Sequence, residues 1–161
     1  MSKKAIIFPG QGAAQSAMNK LKRQGLDQLI TQLKQPVLGI CLGMQLLCES
    51  TEEGHIDTLG VIPGKVSLLE TGQLTSPHMG WNNLHIESAH ALTQGLLASD
   101  QVYFVHSFAF EVKDEKAVIC TTDYEKKVVA ALLKENIFGT QFHPEKSQSN
   151  GLLMLKNFVN L

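Results

Sequence analysis

The sequence predicts a single α/β domain over residues 1–161, in which helices cover a mostly parallel sheet that has an antiparallel extension. Strand-like and helix-like segments alternate in the first third of the chain, an order that favours parallel strands. Short strand-like segments separated by turns follow, as is typical of antiparallel pairing. The 161 residues suffice for one full-sized domain and are too few for two.

The first third of the chain predicts two strands, each followed by helix. Residues 4–8 form an apolar run that ends at a glycine-rich turn, which indicates a buried strand. Residues 15–35 have helical periodicity, and Gly25 divides them into two helices. Residues 37–41 predict a second strand, covered on both faces. Residues 42–49 again predict a helix.

The rest of the chain predicts short strands and a closing helix. The last strand precedes the helix, which has Leu152, Leu155 and Val159 on one face. The predicted strands cover residues 65–69, 81–86, 101–105, 109–112, 117–122, 127–133 and 137–142, and the helix covers residues 151–159.

Composition excludes several classes of protein. Apolar residues make up 43% of the chain, which is too many for a disordered polymer, and the net charge of −1 gives no electrostatic case for binding nucleic acid. No apolar run approaches the roughly 20 residues that span a bilayer, and the N-terminus lacks a secretory signal. The three cysteines are an odd number, which argues against a disulfide framework. We therefore expect a cytoplasmic protein.

Residues 39–43 (G-I-C-L-G) lie between a predicted buried strand and a helix. This pattern is typical of a nucleophile elbow, in which flanking glycines permit a sharp turn that exposes Cys41. The helix N-terminus is expected to lower the pKa of the thiol. The N–H of Leu42 is placed to donate to an oxyanion. The alternative is an inert buried cysteine, the usual fate of a free one.

A nucleophilic thiol needs a base, and His143 is the best candidate among six histidines. In an extended chain His143 and Glu145 point to the same side, so the carboxylate could orient the imidazole. Alone, the H-x-E pattern is also consistent with a surface pair.

Residues 9–12 (P-G-Q-G) form a glycine-rich turn whose N–H groups can bind an oxyanion or a phosphate. The segment lacks the phosphate-loop pattern. The histidines and cysteines show no spacing typical of metal ligands, so we expect no metal.

Together these segments resemble the class I (triad) glutamine amidotransferases, which have a flavodoxin-like fold, and the resemblance covers essentially the whole chain. The matching segments are residues 9–12, 39–45 (G-I-C-L-G-M-Q) and 139–147 (G-T-Q-F-H-P-E-K-S). Within the family, residues 77–82 (P-H-M-G-W-N) and 103–108 (Y-F-V-H-S-F) are similar to the glutaminase subunits of imidazole glycerol phosphate synthases.

The resemblance implies a glutaminase without a cofactor that passes ammonia to a separate (β/α)8-barrel cyclase subunit. That subunit would make imidazole glycerol phosphate and an aminoimidazole carboxamide ribotide. Cys41 would attack glutamine, His143 would transfer protons and Glu145 would hold His143. The N–H groups of Leu42 and Gln11 would bind the oxyanion.

The resemblance also implies residues that bind glutamine and residues that face the partner. Those expected to bind glutamine are Gly10, Gly12, Gln45, Ser107 and Phe108. Those expected to face the barrel subunit are Met79, Trp81, Asn82 and Lys146.

Some of these residues have a second interpretation. Trp81 could instead anchor the core, although tryptophan is enriched at interfaces. Lys146 could be a solvated charge. His78 and His106 are more consistent with structural roles than catalytic ones, because a triad needs one base.

The sequence departs from the family pattern at two places. A strand-helix-strand-helix segment of the family, on the order of 30–40 residues, is not found before residues 9–12, so we expect an N-terminally shortened sheet. Gln11 also stands where the family has a small apolar residue.

Three functions therefore remain open. The first is the glutaminase described above, the second a catalytically silent docking module for the barrel subunit, and the third a free-standing cysteine hydrolase. The elbow and the H-x-E pair favour the glutaminase, the shortened N-terminus favours the docking module, and residues 77–82 have no role in a free-standing hydrolase.

Overall fold

A computed structural model describes residues 4–161 of the chain. In these described residues, short 3-10 turns at Ala91–Thr93, Glu115–Ala117 and Pro144–Lys146 accompany four helices and twelve strands. The helices are α1 (Ala14–Gln24), α2 (Leu26–Gln32), α3 (Leu42–Gln45) and α4 (Gln148–Val159). The strands are β1 (Ile6–Gly10), β2 (Val37–Cys41), β3 (Ser50–Thr51), β4 (Ile56–Asp57), β5 (Gly64–Leu68), β6 (His78–Asn83), β7 (His85–Ile86), β8 (Gln101–His106), β9 (Phe108–Val112), β10 (Val118–Tyr124), β11 (Lys126–Lys134) and β12 (Ile137–Thr140).

The main sheet has six strands in the order β1-β2-β12-β11-β10-β7. The pairs β1–β2 and β2–β12 are parallel, whereas β12–β11, β11–β10 and β10–β7 are antiparallel. The predicted α/β sheet with an antiparallel extension is therefore confirmed. The parallel part comprises three strands, whose carboxyl ends lie side by side, and this is where open α/β sheets bind ligands.

Helices cover both faces of the main sheet. Strand β2 is buried along its whole length, as expected for a strand covered on both faces. On one face, Leu38 and Ile40 share an apolar cluster with Met154 and Phe158 of α4. On the other face, Val37 belongs to the cluster that contains residues of α1 and α2.

Two smaller sheets complete the fold. One has the order β4-β3-β5-β9, and the other is the antiparallel pair β6–β8. Residues 81–86, predicted as one strand, divide between two sheets, because β6 pairs with β8 whereas β7 pairs with β10. Leu84 lies between them and is 1% exposed, so burial of this residue marks the point where the chain changes sheets.

Helix α3 is shorter than the predicted helix over residues 42–49. The carbonyls of Leu46, Leu47 and Cys48 accept hydrogen bonds from the backbone of residues 59–62. The N–H groups of Leu47 and Cys48 donate to carbonyls three residues back, and the N–H of Glu49 donates to the carbonyl of Gly64. Hydrogen bonds to carbonyls four residues back, which an α-helix needs, therefore stop after Leu46, and the helix ends at Gln45. In the part of the chain that the structure describes, no helix is long and apolar enough to cross a membrane.

Candidate active site

Cys41 lies at a strained turn between β2 and α3. Its backbone has φ 53° and ψ −110°, a conformation that is uncommon for a residue with a side chain. A Cβ on Gly39 would lie 2.8 Å from the backbone of Gly43, and a Cβ on Gly43 would overlap the carbonyl oxygen of Phe8. Both glycines are therefore required by close packing, and this geometry is that of the predicted nucleophile elbow.

The thiol of Cys41 is buried, and its environment differs from the expectation. Burial raises its pKa to about 11, although the N–H of Leu42 and the side chain of Gln141 favour the thiolate. The predicted lowering by the helix N-terminus is wrong for the free protein, because α3 has only four residues and desolvation outweighs it. The thiol therefore needs a base to become nucleophilic.

His143 and Glu145, the predicted base and its partner, are in contact, but Glu145 lies in the 3-10 turn Pro144–Lys146 and not in the extended chain that the sequence predicted. His143 Nδ1 lies 2.6 Å from Glu145 Oε1. Because an ionised carboxylate can only accept, Nδ1 carries a proton, and in the neutral imidazole Nε2 therefore keeps its lone pair. The imidazole side chain is 2% exposed and the carboxylate side chain 47% exposed. The pair thus places a proton acceptor in a buried position.

Strand β8 fixes the segment that carries His143. The backbone N–H of His143 donates to the carbonyl of Tyr103 at 2.9 Å. The hydroxyl of Ser147 donates to the carbonyl of His143 at 2.7 Å and accepts from the N–H of Tyr103 at 2.9 Å. This backbone clamp restricts where the imidazole can lie.

Cys41 and His143 line one cavity of about 460 Å³ at the carboxyl ends of β1 and β2. In residues 4–161 no hydrogen bond joins the thiol to the imidazole; such contacts often tighten only when substrate binds. Most of the predicted site residues line this cavity. They are Gln11, Gly12, Cys41, Leu42, Gln45, Ser107, Phe108, His143 and Lys146.

The glycine-rich turn after β1 packs against the elbow. Gly10 does not line the cavity, and a Cβ there would lie 2.7 Å from the nitrogen of Gly43. Gly12 has φ +93°, in the region that favours glycine. The two glycines therefore hold Gln11 beside the cavity.

Sequence reasoning missed the polar side chains of Glu53 and Gln141 at the site. Glu53 lines the cavity, and its carboxylate accepts from the backbone N–H of Ala14 at 3.1 Å. Gln141 is fully buried and its side chain contacts both Gln45 and Cys41. Gln141 lies two residues before His143, so the H-x-E segment could have indicated it; Glu53 gives no such signal.

His78 and His106 form a buried pair beside the cavity. His78 Nδ1 lies 3.0 Å from His106 Nε2, and His106 Nδ1 lies 2.8 Å from the carbonyl oxygen of Phe108. Burial lowers the pKa of each ring to about 4, so both are neutral at pH 7. Asn82 Nδ2 donates to the carbonyl of Asp123 at 2.8 Å and lies 3.3 Å from His78 Nε2. The pair therefore connects β6 to the backbone at the cavity.

The residues expected to face a partner are divided between the surface and the cavity. On β6, the side chains of Met79 and Trp81 are exposed, with relative exposures of 61% and 43%. The Trp81 ring makes an edge contact with Tyr103, at 6.0 Å between centroids. Trp81 is thus not a core anchor, and Lys146 lies at the cavity.

In the described residues no group of three histidine, cysteine or carboxylate side chains could hold a metal ion.

Comparison with known proteins identifies the family. The family model described as glutamine amidotransferase class-I matches residues 2–161. Imidazole glycerol phosphate synthase subunit HisH 2 of Legionella pneumophila (strain Paris) is 48% identical over 157 residues, which are 97% of this chain and 78% of that protein. Subunit HisH of Haemophilus influenzae (strain Rd) is 44% identical over 154 residues, which are 96% of this chain and 76% of that protein.

Solved structures agree in fold. A glutamine amidotransferase structure has a TM-score of 0.71 at 17% identity, covering 98% of this chain and 80% of that one. A glutamine amidotransferase from Thermotoga maritima has a TM-score of 0.66 at 22% identity, covering 98% and 61%. These likenesses support the fold alone, whereas the family match extends over the segments that form the cavity. The chain belongs to the class-I glutamine amidotransferases.

Proposed function

We propose that this chain is the glutaminase subunit of an imidazole glycerol phosphate synthase. It hydrolyses glutamine and passes the ammonia to a (β/α)8-barrel cyclase subunit. The observation that carries the proposal is a cavity that Cys41, at a nucleophile elbow, shares with His143, which is paired with Glu145. The relatives named HisH support the choice of this synthase within the family.

The reaction begins when His143 Nε2 takes the proton of the Cys41 thiol and the sulfur attacks the side-chain carbonyl carbon of glutamine. The carbonyl becomes an oxyanion, for which the backbone N–H groups of Leu42 and Gln11 are the donors. The imidazolium then gives its proton to the nitrogen of the amide. The C–N bond breaks, ammonia leaves, and a thioester remains on Cys41.

Hydrolysis of the thioester completes the cycle. A water molecule gives a proton to His143 and attacks the thioester carbon, again through an oxyanion. The C–S bond breaks, glutamate is released, and the proton returns to the sulfur of Cys41. The carboxylate of Glu145 stabilises the imidazolium in both steps.

Binding of glutamine uses the remaining lining residues. The amide of Gln45 and the backbone of Ser107 and Phe108 offer neutral hydrogen-bonding groups, and Gly12 lets the backbone approach closely. Glu53 is a lining carboxylate, and its charge is complementary to the α-ammonium group of an amino acid.

The partner surface is proposed on β6. Met79 and Trp81 are exposed apolar side chains on this strand. Asn82 is adjacent in sequence, but its side chain lies on the face of the strand that carries His78, where it contacts His78 and the carbonyl of Asp123. Lys146 adds a cation at the cavity, where it would face the partner. A biosynthetic complex of this kind would act in the cytoplasm.

The test is glutamine hydrolysis by the purified chain, alone and with the barrel subunit and its nucleotide ligand. We expect turnover with the partner and none from Cys41→Ala, which should still bind the partner. A folded chain that binds the barrel subunit without turnover would instead support the docking module. Turnover that does not respond to the barrel subunit would support a free-standing hydrolase.

A further inference from the structure

Gln141 follows β12 and joins two parts of the site. Its side chain is fully buried, and its backbone N–H donates to the carbonyl of Ala130 at 2.8 Å, which fixes its position. Its side-chain oxygen accepts from Gln45 Nε2 at 3.0 Å, and its own Nε2 donates to Cys41 Sγ at 3.7 Å. One amide therefore contacts both a proposed substrate-binding residue and the proposed nucleophile.

The amide group of Gln45 has its two N–H donors occupied. One donates to Gln141 Oε1 and the other to the carbonyl oxygen of Phe108, each at 3.0 Å. The side-chain oxygen of Gln45 makes no hydrogen bond within residues 4–161, and the residue lines the cavity. The group left for a bound molecule is thus an acceptor.

Both residues that accept from Gln45 make further hydrogen bonds of their own. The carbonyl of Phe108 lies 2.8 Å from His106 Nδ1, and Gln141 is held by the backbone of β11. A rotation of the Gln45 amide by 180° would place its oxygen against two other oxygens, which is unfavourable. The surroundings therefore select one of the two amide orientations.

We propose that Gln141 is a positioning residue for glutamine hydrolysis. Its oxygen orients Gln45 so that an acceptor faces the substrate's N–H groups, and its N–H holds the sulfur of Cys41. This inference rests on the proposed function. It separates two effects: the contact with Gln45 governs KM for glutamine, and the contact with Cys41 governs the readiness of the thiol to lose its proton.

The first test replaces Gln141 by methionine, which has similar length and neither a donor N–H nor an amide oxygen. We expect KM for glutamine to rise about tenfold, the value of one hydrogen bond, with a smaller fall in kcat. Gln141→Glu keeps an oxygen acceptor for Gln45 and should keep KM within about threefold of the wild type. Thr140→Val is the matched control, because the buried hydroxyl of Thr140 has no hydrogen-bond partner among residues 4–161, and it should leave KM unchanged.

The second test shows whether Gln141 acts through Gln45. In a double-mutant cycle, Gln141→Met should change KM by less than about twofold when Gln45→Ala is already present. Independent of turnover, the pH dependence of iodoacetamide labelling at Cys41 should shift to higher pH in Gln141→Met. Both assays use the chain in complex with the barrel subunit, and thermal unfolding verifies that each variant is folded.

Several results would overturn the proposal. The first is an unchanged KM in Gln141→Met, and the second is a pair of effects on KM that add fully in the double mutant. The third is a tenfold rise in KM in Gln141→Glu, a result that can be obtained even if Gln141→Met does not fold. If the wild-type complex hydrolyses glutamine and any one of these results is found, the role of Gln141 is refuted and the proposed function is not. Absence of turnover in the wild-type complex refutes the proposed function and this inference together.

Discussion

Replacing Glu145 by glutamine removes the negative charge beside His143 and keeps the shape of the side chain. The charge matters only when His143 has taken the thiol proton, so the loss should fall on kcat. Two unit charges about 4 Å apart attract by about 1 kcal/mol in water and about 4 kcal/mol at an effective dielectric constant near 20. The carboxylate side chain is 47% exposed, which places it between these limits. We take about 2 kcal/mol for the attraction that is lost in the transition state, which corresponds to roughly a 30-fold lower kcat.

The assay is steady-state glutamine hydrolysis by the complex with the barrel subunit. Glu115→Gln, an exposed carboxylate away from the cavity, is the matched control and should have wild-type kcat. Because the carboxylate is partly exposed, salt should screen its charge, so the difference in kcat between Glu145→Gln and the wild type should be smaller at high salt. A loss of less than about threefold, comparable to that of an exposed ion pair, would refute the role assigned to this carboxylate.

Three further predictions follow from the geometry. Gly43→Ala forces a Cβ against the carbonyl of Phe8, so it should lower kcat at least about 100-fold, and activity near wild type would contradict the elbow geometry. Because the pKa of the Cys41 thiol is about 11, its iodoacetamide labelling in the free chain should rise about tenfold per pH unit between pH 7 and pH 10; a plateau below pH 9 would contradict it. The pKa values of His78 and His106 are near 4 in the folded chain and about 6.5 when unfolded, so unfolding takes up as many as two protons in this range. The contribution of these two histidines to the free energy of unfolding is therefore complete above pH 6.5 and is lost as the pH decreases to 4. Urea unfolding at several pH values should show that the free energy of unfolding depends less on pH in His106→Asn than in the wild type.

Local sequence patterns predicted the parts of the site that depend on neighbouring residues. The elbow needs glycine on both sides of Cys41, and His143 and Glu145 are only two residues apart, although a 3-10 turn rather than the predicted extended chain brings their side chains together. Each requirement concerns residues that lie within a few positions of one another in the sequence. For the same reason the alternation of strands and helices was enough to predict the parallel part of the sheet.

Contacts between distant segments could not be predicted in this way. His78 and His106 are neighbours because of the register of β6 on β8, and this register is not visible in either segment alone. Glu53 reaches the cavity because its loop folds back onto the N-terminus of α1. Helix propensity after Gln45 was overridden by tertiary contacts, among them the hydrogen bond from the N–H of Glu49 to the carbonyl of Gly64. The high pKa of the Cys41 thiol likewise follows from burial, a property of the whole fold.

The most direct test of the central claim is covalent labelling by a diazoketone analogue of glutamine, which alkylates a thiol that attacks it in the glutamine site. The complex with the barrel subunit is incubated with the analogue, and the digested chain is analysed by mass spectrometry. We predict label on Cys41 and none on the buried Cys48 and Cys120, with protection by glutamine. Label on another cysteine, or labelling of Cys41 that glutamine does not prevent, would contradict the assignment of Cys41 as the nucleophile of a glutaminase.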